Sequence, residues 1–133
     1  MNKKTHQSVG YAMTGLRHAI HAEANLRRFI FGHMVLMLLG VYFRIDIISI
    51  AVLTFVAGGF IIVELLNTAL ERIADTFDDC EKTHRGGHYH PGIKMTKDVG
   101  AAASLVALTM YGATLLLILL SYAVQYYFIT QGV

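Results

Sequence analysis

The chain carries one cysteine, Cys80, and one proline, Pro91, in 133 residues. A lone thiol excludes an intrachain disulfide and a cysteine-based zinc site. Charge is scarce as well: Asp, Glu, Lys and Arg make up 15% of the residues, against 55% hydrophobic. No charged side chain occurs between Asp46 and Glu64, and none follows Asp98. No glycine-rich Walker loop is present, so any nucleotide site is not a P-loop. Residues 1–28 are dotted with charge and lack the apolar run of a cleavable signal peptide. There is no internal repeat and no low-complexity segment. With a mean hydropathy of +0.51, a soluble domain of this size has no means of hiding its apolar surface, so the expected class is an all-α integral membrane protein.

What is present falls into blocks. Apolar stretches at 29–46, 47–70 and 99–123 are each long enough to cross a hydrocarbon core of roughly 30 Å, the first only just. Of the eleven Lys and Arg residues, only Arg44 lies outside residues 1–28 and 72–97. The excess of positive charge on cytoplasmic segments therefore places the N-terminus and the 72–97 connection inside, and the turn at Arg44 to Asp46 and the C-terminus outside. Val9, Met13, Leu16 and Ile20 recur at helical spacing with Arg17, His18 and His21 on other faces, which predicts an amphipathic interfacial helix over 6–28. Gly86, Gly87 and Pro91 mark a cytoplasmic loop, expected over 76–93. The whole chain, 1–133, reads as a single membrane domain. Nucleic acid is a poor partner, because acids balance the basic residues on the same side.

The informative segment is Glu64-Leu-Leu-Asn67-Thr68-Ala-Leu-Glu71-Arg-Ile-Ala-Asp75. On a helix these polar residues fall within an arc of roughly 100°, along a row about 16 Å long. An ionisable group in a membrane segment is costly and marks a candidate functional site. Carboxylates along one stripe repel one another, and a bound cation relieves the repulsion. Two further clusters stand at the same membrane face: Glu23-Ala-Asn25-Leu-Arg27-Arg28 before the first span and Lys94-Met-Thr-Lys97-Asp98 before the third. Carboxylates beside lysines suit a magnesium–phosphate site, since Mg²⁺ is held by one or two carboxylates together with phosphate oxygens while lysine supplies charge to the phosphates. A carboxylate at the lipid–water boundary can take a proton from a lipid hydroxyl.

Each of these residues also has a plainer reading. Glu64 alone could be a helix-end residue reaching for the headgroups, although the in-phase Asn67, Glu71 and Asp75 weigh against that. Glu23 could pair with Arg27 four residues on, and Lys94 and Lys97 could be interfacial anchors. His84, His88 and His90 could bind a transition metal, but no carboxylate or cysteine pattern completes a site. His33 reads as a hydrogen-bonded residue between helices rather than a ligand. A small cation channel or carrier would need acids through the membrane depth, whereas here they cluster at one end.

Glu23-x-Asn25-x-Arg27, then Glu64-Leu-Leu-Asn67-Thr68-Ala-Leu-Glu71-x-x-x-Asp75, then His90-Pro91 and Lys97-Asp98-x-x-Ala101-Ala102, in that order, resemble the small bacterial integral-membrane lipid kinases. These are the prokaryotic diacylglycerol kinases and undecaprenol kinases. The resemblance runs from about residue 10 to 120. It implies a homotrimer in the bacterial inner membrane, with active sites at the cytoplasmic face, that transfers the γ-phosphate of MgATP to a lipid alcohol. By motif, Glu64 falls on the catalytic base, Glu23 and Glu71 on the metal-binding acids, and Asn67, Asp75, Lys97 and Asp98 beside them on nucleotide-binding positions. Asn25 and Arg27 fall with Glu64 on the lipid-substrate side. The chain departs from the pattern at Phe29, where many relatives carry histidine, and in a longer connection containing His84, Gly86, Gly87 and His88. Asn25, Thr68 and Pro91 look more like the undecaprenol branch, so undecaprenol is the expected acceptor and diacylglycerol the alternative.

Overall fold

A computed structural model of the chain describes residues 3–85 and 91–131, and these form four helices: α1 (Lys3–Ala22), α2 (Ala24–Tyr42), α3 (Ile47–Arg85) and α4 (Pro91–Gln131). Among the described residues, α2, α3 and α4 are long and apolar enough to cross a membrane. The expectation of an all-helical chain with three membrane-capable helices and an N-terminal helix is met at this level.

The boundaries differ from the sequence reading in ways that matter for the site. The N-terminal helix was expected to run over 6–28, but it stops at Ala22. Glu23 leaves the helical region (φ −97°, ψ 108°) and α2 starts directly after it. The break is held by Arg27, whose guanidinium donates to the carbonyls of Ile20 at 3.0 Å and His21 at 2.5 Å. Those carbonyls belong to the last turn of α1 and have no partner within the helix. Asn25, Arg27 and Arg28 thus belong to the first spanning helix.

The expected loop over 76–93 is mostly helix, because α3 continues to Arg85. No Gly or Pro interrupts the chain between Thr76 and Arg85, and acidic and basic residues are tolerated on a helix exposed to water. Of this stretch, residues 86–90, with Gly86, Gly87, His88 and His90, lie outside the described residues. The third span, expected over 99–123, is likewise the middle of a longer helix.

Spacing fixes the depth of each group. At 1.5 Å per residue α3 is about 58 Å long, nearly twice a hydrocarbon core. Measured from Asp46 at the turn between α2 and α3, Glu64 lies about 27 Å along the helix, close to the opposite boundary, and Asp75 lies about 44 Å along.

The turn between α2 and α3 is firmly made. Asp46 caps α3, accepting from the Ser49 amide at 2.9 Å, the Ser49 hydroxyl at 2.6 Å and the Tyr122 hydroxyl at 2.6 Å. Tyr122 therefore ties α4 to the start of α3. The Ser49 hydroxyl, then Tyr122 and the Ser49 amide, hold the Asp46 carboxyl well below the usual carboxylate range. A depressed carboxyl contributes stability that is fully present above its unfolded pKa of about 3.9 and is lost as pH falls below it. Asp46→Ala should lower the melting temperature at pH 7 and flatten the loss of stability on acidification toward pH 3. Thermal unfolding in detergent at both pH values checks this.

Inside, α3 and α4 pack closely. Leu53, Ala57 and Tyr111 are buried, with Phe29, Leu36 and Leu115 against them. Phe29 packs against Phe60 with the rings tilted at a centroid distance of 4.2 Å and meets Tyr111 edge-on at 4.9 Å. His33 Nδ1 lies 3.0 Å from the Tyr111 hydroxyl, bridging α2 and α4 as an interhelix hydrogen bond. The flanks are the reverse of a soluble protein: Phe31, Leu38, Phe55, Leu105 and Leu117 point outward. Such a surface is at ease only in lipid or against other helices.

Candidate functional site

The polar row of α3 faces α4, and the two helices run antiparallel so that each polar level meets a fixed position. Farthest out, Lys97 Nζ donates to Asp75 Oδ1 at 2.6 Å. One level deeper, Gly100 of α4 is buried against Asn67: a Cβ on Gly100 would stand 2.2 Å from Asn67 Oδ1. Asn67 Nδ2 in turn donates to Glu71 Oε1 at 3.1 Å, while Asn67 Oδ1 is buried without a hydrogen-bond partner. Deepest, Glu64 and Ser104 line one cleft of about 490 Å³ with Asn25, Arg28, Phe29 and Phe60. Leu105 and Leu108 carry the same cleft toward the bilayer interior.

Glu64 is only 9% exposed. A carboxylate headed for the headgroups would be open to them, so burial beside a cleft goes against the plain reading of this residue. Placed at membrane depth with Asn25 and Arg28 above it and aromatic and aliphatic walls below, it faces a space that is polar at one end and oily at the other.

The other expected residues are placed unevenly. Asn67, Glu71, Asp75 and Lys97 come together along the α3–α4 seam. Glu23 sits half-buried at the α1–α2 break. Asn25 lines the Glu64 cleft, and its side-chain oxygen accepts from Arg28 at 3.4 Å. Arg27 has its guanidinium committed to the carbonyls of α1. Asp98 is exposed, one residue and about 100° round the helix from Lys97. Thr68 is buried on a different side, in a cleft between α1 and α3. There the Arg72 guanidinium donates to His18 Nε2 and fastens the N-terminal helix. Among the described residues, no group of three or more His, Cys, Asp or Glu is arranged to hold a metal ion.

The model of the family described as prokaryotic diacylglycerol kinase matches residues 10–119. The chain belongs to that family. Membership places it among the lipid kinases. It is 32% identical to a Pseudomonas aeruginosa protein named diacylglycerol kinase over 118 residues, 89% of each chain. Identity to the diacylglycerol kinase of Escherichia coli K12 is 28% over 116 residues, 87% of this chain and 88% of that one. A diacylglycerol kinase from Synechocystis is 32% identical over 100 residues, 75% of this chain. There the match spans only about half of the relative, 53% of its length.

Within this prokaryotic diacylglycerol kinase framework, two positions carry more than the sequence reading gave them. In the sequence, Gly100 and Ser104 stand out only as the ends of a small-residue run, Gly100-Ala-Ala-Ala-Ser104, that invites close packing. The signal for more was their phase, since both share the face of Lys97 on α4 and must therefore meet the polar row of α3. Gly100→Ala should act through Asn67. The added methyl needs the space of the Asn67 carbonyl oxygen, and a two-torsion side chain yields sooner than two packed backbones. We expect a loss of about 1 kcal/mol in stability and a larger proportional loss of kinase activity, as Asn67 swings away from Glu71. Adding Asn67→Ala should remove the stability cost of Gly100→Ala, which a double-mutant cycle by thermal unfolding and initial rates checks.

Proposed function

We propose that the chain is a magnesium-ATP-dependent kinase of diacylglycerol, working at the cytoplasmic face of the bacterial inner membrane with Glu64 as general base. The observation that carries this is the burial of Glu64 in a cleft graded from polar to apolar, in line with the Asn67–Glu71–Asp75 row. The acceptor hydroxyl oxygen forms a bond to the γ-phosphorus, the bond to the β–γ bridging oxygen breaks, ADP leaves, and the hydroxyl proton goes to the Glu64 carboxylate. Such a transfer needs positioning and charge neutralisation more than covalent chemistry. Lys97 supplies charge for the nucleotide phosphates, in exchange with Asp75. Asp98, exposed beside it, remains a nucleotide contact by motif alone.

The donor chemistry along the row fits magnesium. Hard oxygen donors are right for it, and an incomplete protein cage is its ordinary condition, with phosphate and water filling the remainder. Glu71 and Glu23 would hold the ion, which when bound neutralises charge developing on the transferred phosphoryl group. We read the working unit as a homotrimer, which gives the outward apolar flanks of α2 and α4 helical as well as lipid neighbours.

Diacylglycerol is preferred to the undecaprenol expected from the sequence for two reasons. The similar proteins from Pseudomonas, Escherichia and Synechocystis are all named diacylglycerol kinase. Of the three residues that pointed to undecaprenol, Thr68 faces the α1 cleft and Pro91 is exposed at the start of α4, so only Asn25 lines the Glu64 cleft. The test is phosphorylation by magnesium-ATP in mixed micelles holding diacylglycerol and undecaprenol, separately and in competition. Faster transfer to diacylglycerol is expected. Preference for undecaprenol would move the chain to the other branch, and transfer to neither by folded protein would overturn the kinase assignment.

A further inference from the structure

We infer that Ser104 is a specificity-determining residue that reads an ester carbonyl on the lipid acceptor; this rests on the lipid-kinase reading of the Glu64 cleft. Hydroxyls along these helices ordinarily satisfy themselves. Thr54, Thr76, Thr96, Thr109 and Thr114 each donate to the carbonyl four residues back, at 2.8 to 3.0 Å. Ser104 sits in the middle of α4 with the same carbonyl available in principle, yet its Oγ is buried and has no partner. A hydroxyl shut away from water without a hydrogen bond is costly, and native structures rarely leave one so. Rotation about its single side-chain torsion turns that hydroxyl into the cleft that Ser104 shares with Glu64, where whatever fills the cleft supplies the missing partner.

The chemistry of that partner follows from position. Ser104 lies 18 residues up α4 from Tyr122, and Glu64 lies 18 residues up α3 from Asp46. Tyr122 and Asp46 are bonded to each other. At equal rise the serine and the glutamate stand at the same membrane depth, about 27 Å from the turn between α2 and α3. Glu64 is an acceptor and takes the hydroxyl of the substrate. Ser104 is a donor to spare, so it calls for an acceptor at the same height within one small headgroup. A glycerol diester offers that, with a free hydroxyl and an ester carbonyl on neighbouring carbons. A polyprenyl alcohol has a hydroxyl followed by hydrocarbon and would leave Ser104 unpaired, as it would any long-chain alcohol.

The experiment compares full-length wild type, Ser104→Ala and Ser104→Thr in mixed micelles with magnesium-ATP. The acceptors are dioleoylglycerol, the dialkyl glycerol diether that lacks both carbonyls, and undecaprenol. Wild type should favour the diester over the diether by roughly 2- to 12-fold in KM, the range of one net hydrogen bond. Ser104→Ala should erase that ratio by raising KM for the diester alone, with kcat kept. Ser104→Thr, which retains the hydroxyl, should keep it. An unchanged diester-to-diether ratio in Ser104→Ala, or an equal loss on both lipids, would overturn the proposal and leave Ser104 a packing residue. Preference of wild type for undecaprenol over the diester would also overturn it. Failure of wild type to phosphorylate any of the three lipids would instead bring down the kinase reading beneath it.

Discussion

Glu64→Gln should yield a folded protein whose phosphate transfer to lipid is slower by about 100-fold or more, the ordinary worth of a positioned general base. Glutamine has the shape of glutamate and can take the same rotamer, so the cleft wall formed with Phe29 and Phe60 is preserved. Removing a charge held at membrane depth costs the fold nothing and relieves a desolvation penalty, so thermal stability should hold or rise. The amide cannot accept the acceptor proton, so the fall should appear in kcat rather than in KM for MgATP. Initial rates, together with helicity and melting in detergent, separate this from misfolding. Wild-type turnover in a folded Glu64→Gln protein would remove the residue from the chemistry and return it to a helix-end carboxylate.

The parts of the molecule legible in the sequence are those set by periodicity and by the cost of charge in lipid. The spans announced themselves because helices in a bilayer need about 20 apolar residues each. The row Glu64, Asn67, Glu71, Asp75 showed because its polar spacing contradicts its surroundings. What stayed hidden depends on contacts between helices. Nothing in the local pattern sets the break between the first two helices at Glu23 rather than after Arg28, since it is held by Arg27 reaching back to carbonyls six and seven residues away. The length of α3 beyond Thr76 was missed because a run of charge resembles a loop when no apolar periodicity remains to be counted. The Arg27 guanidinium at the end of α1 and Thr68 in the cleft that seats α1 are likewise placements that no sequence neighbour announces.

The register of α3 on α4 is the finding that organises the rest. Lys97 meets Asp75, Gly100 meets Asn67, and Ser104 shares a cleft with Glu64. In an antiparallel pair the sum of facing residue numbers stays nearly constant, and these pairs agree to within a few residues. One helix therefore presents a cation, then a gap, then a hydroxyl. The other presents an acid, an amide backed by an acid, then a buried acid. A slip of one turn would set Lys97 beside Glu71 and drive Gly100 away from Asn67, so the site depends on one packing of two long helices more than on any loop.

Glu71→Gln should lower activity by about 10- to 100-fold and raise the magnesium concentration needed for half-maximal rate by a similar factor. Loss of a residue that merely orients a metal ligand typically costs that much, and loss of a ligating carboxylate costs no less. The substitution is a clean test because the fold has little reason to notice it. Asn67 Nδ2 donates to Glu71 Oε1 at 3.1 Å, and the carbonyl oxygen of glutamine accepts the same bond. What disappears is the negative charge and the second strong acceptor, the two properties a magnesium–phosphate site uses. Rates measured against free magnesium at saturating ATP should show the shift, and excess magnesium should recover part of the lost rate. If Glu71→Gln keeps the wild-type magnesium dependence while losing activity, the carboxylate only orients Asn67. If it loses neither, the metal lies elsewhere along the seam, with Asp75 the next acid to test.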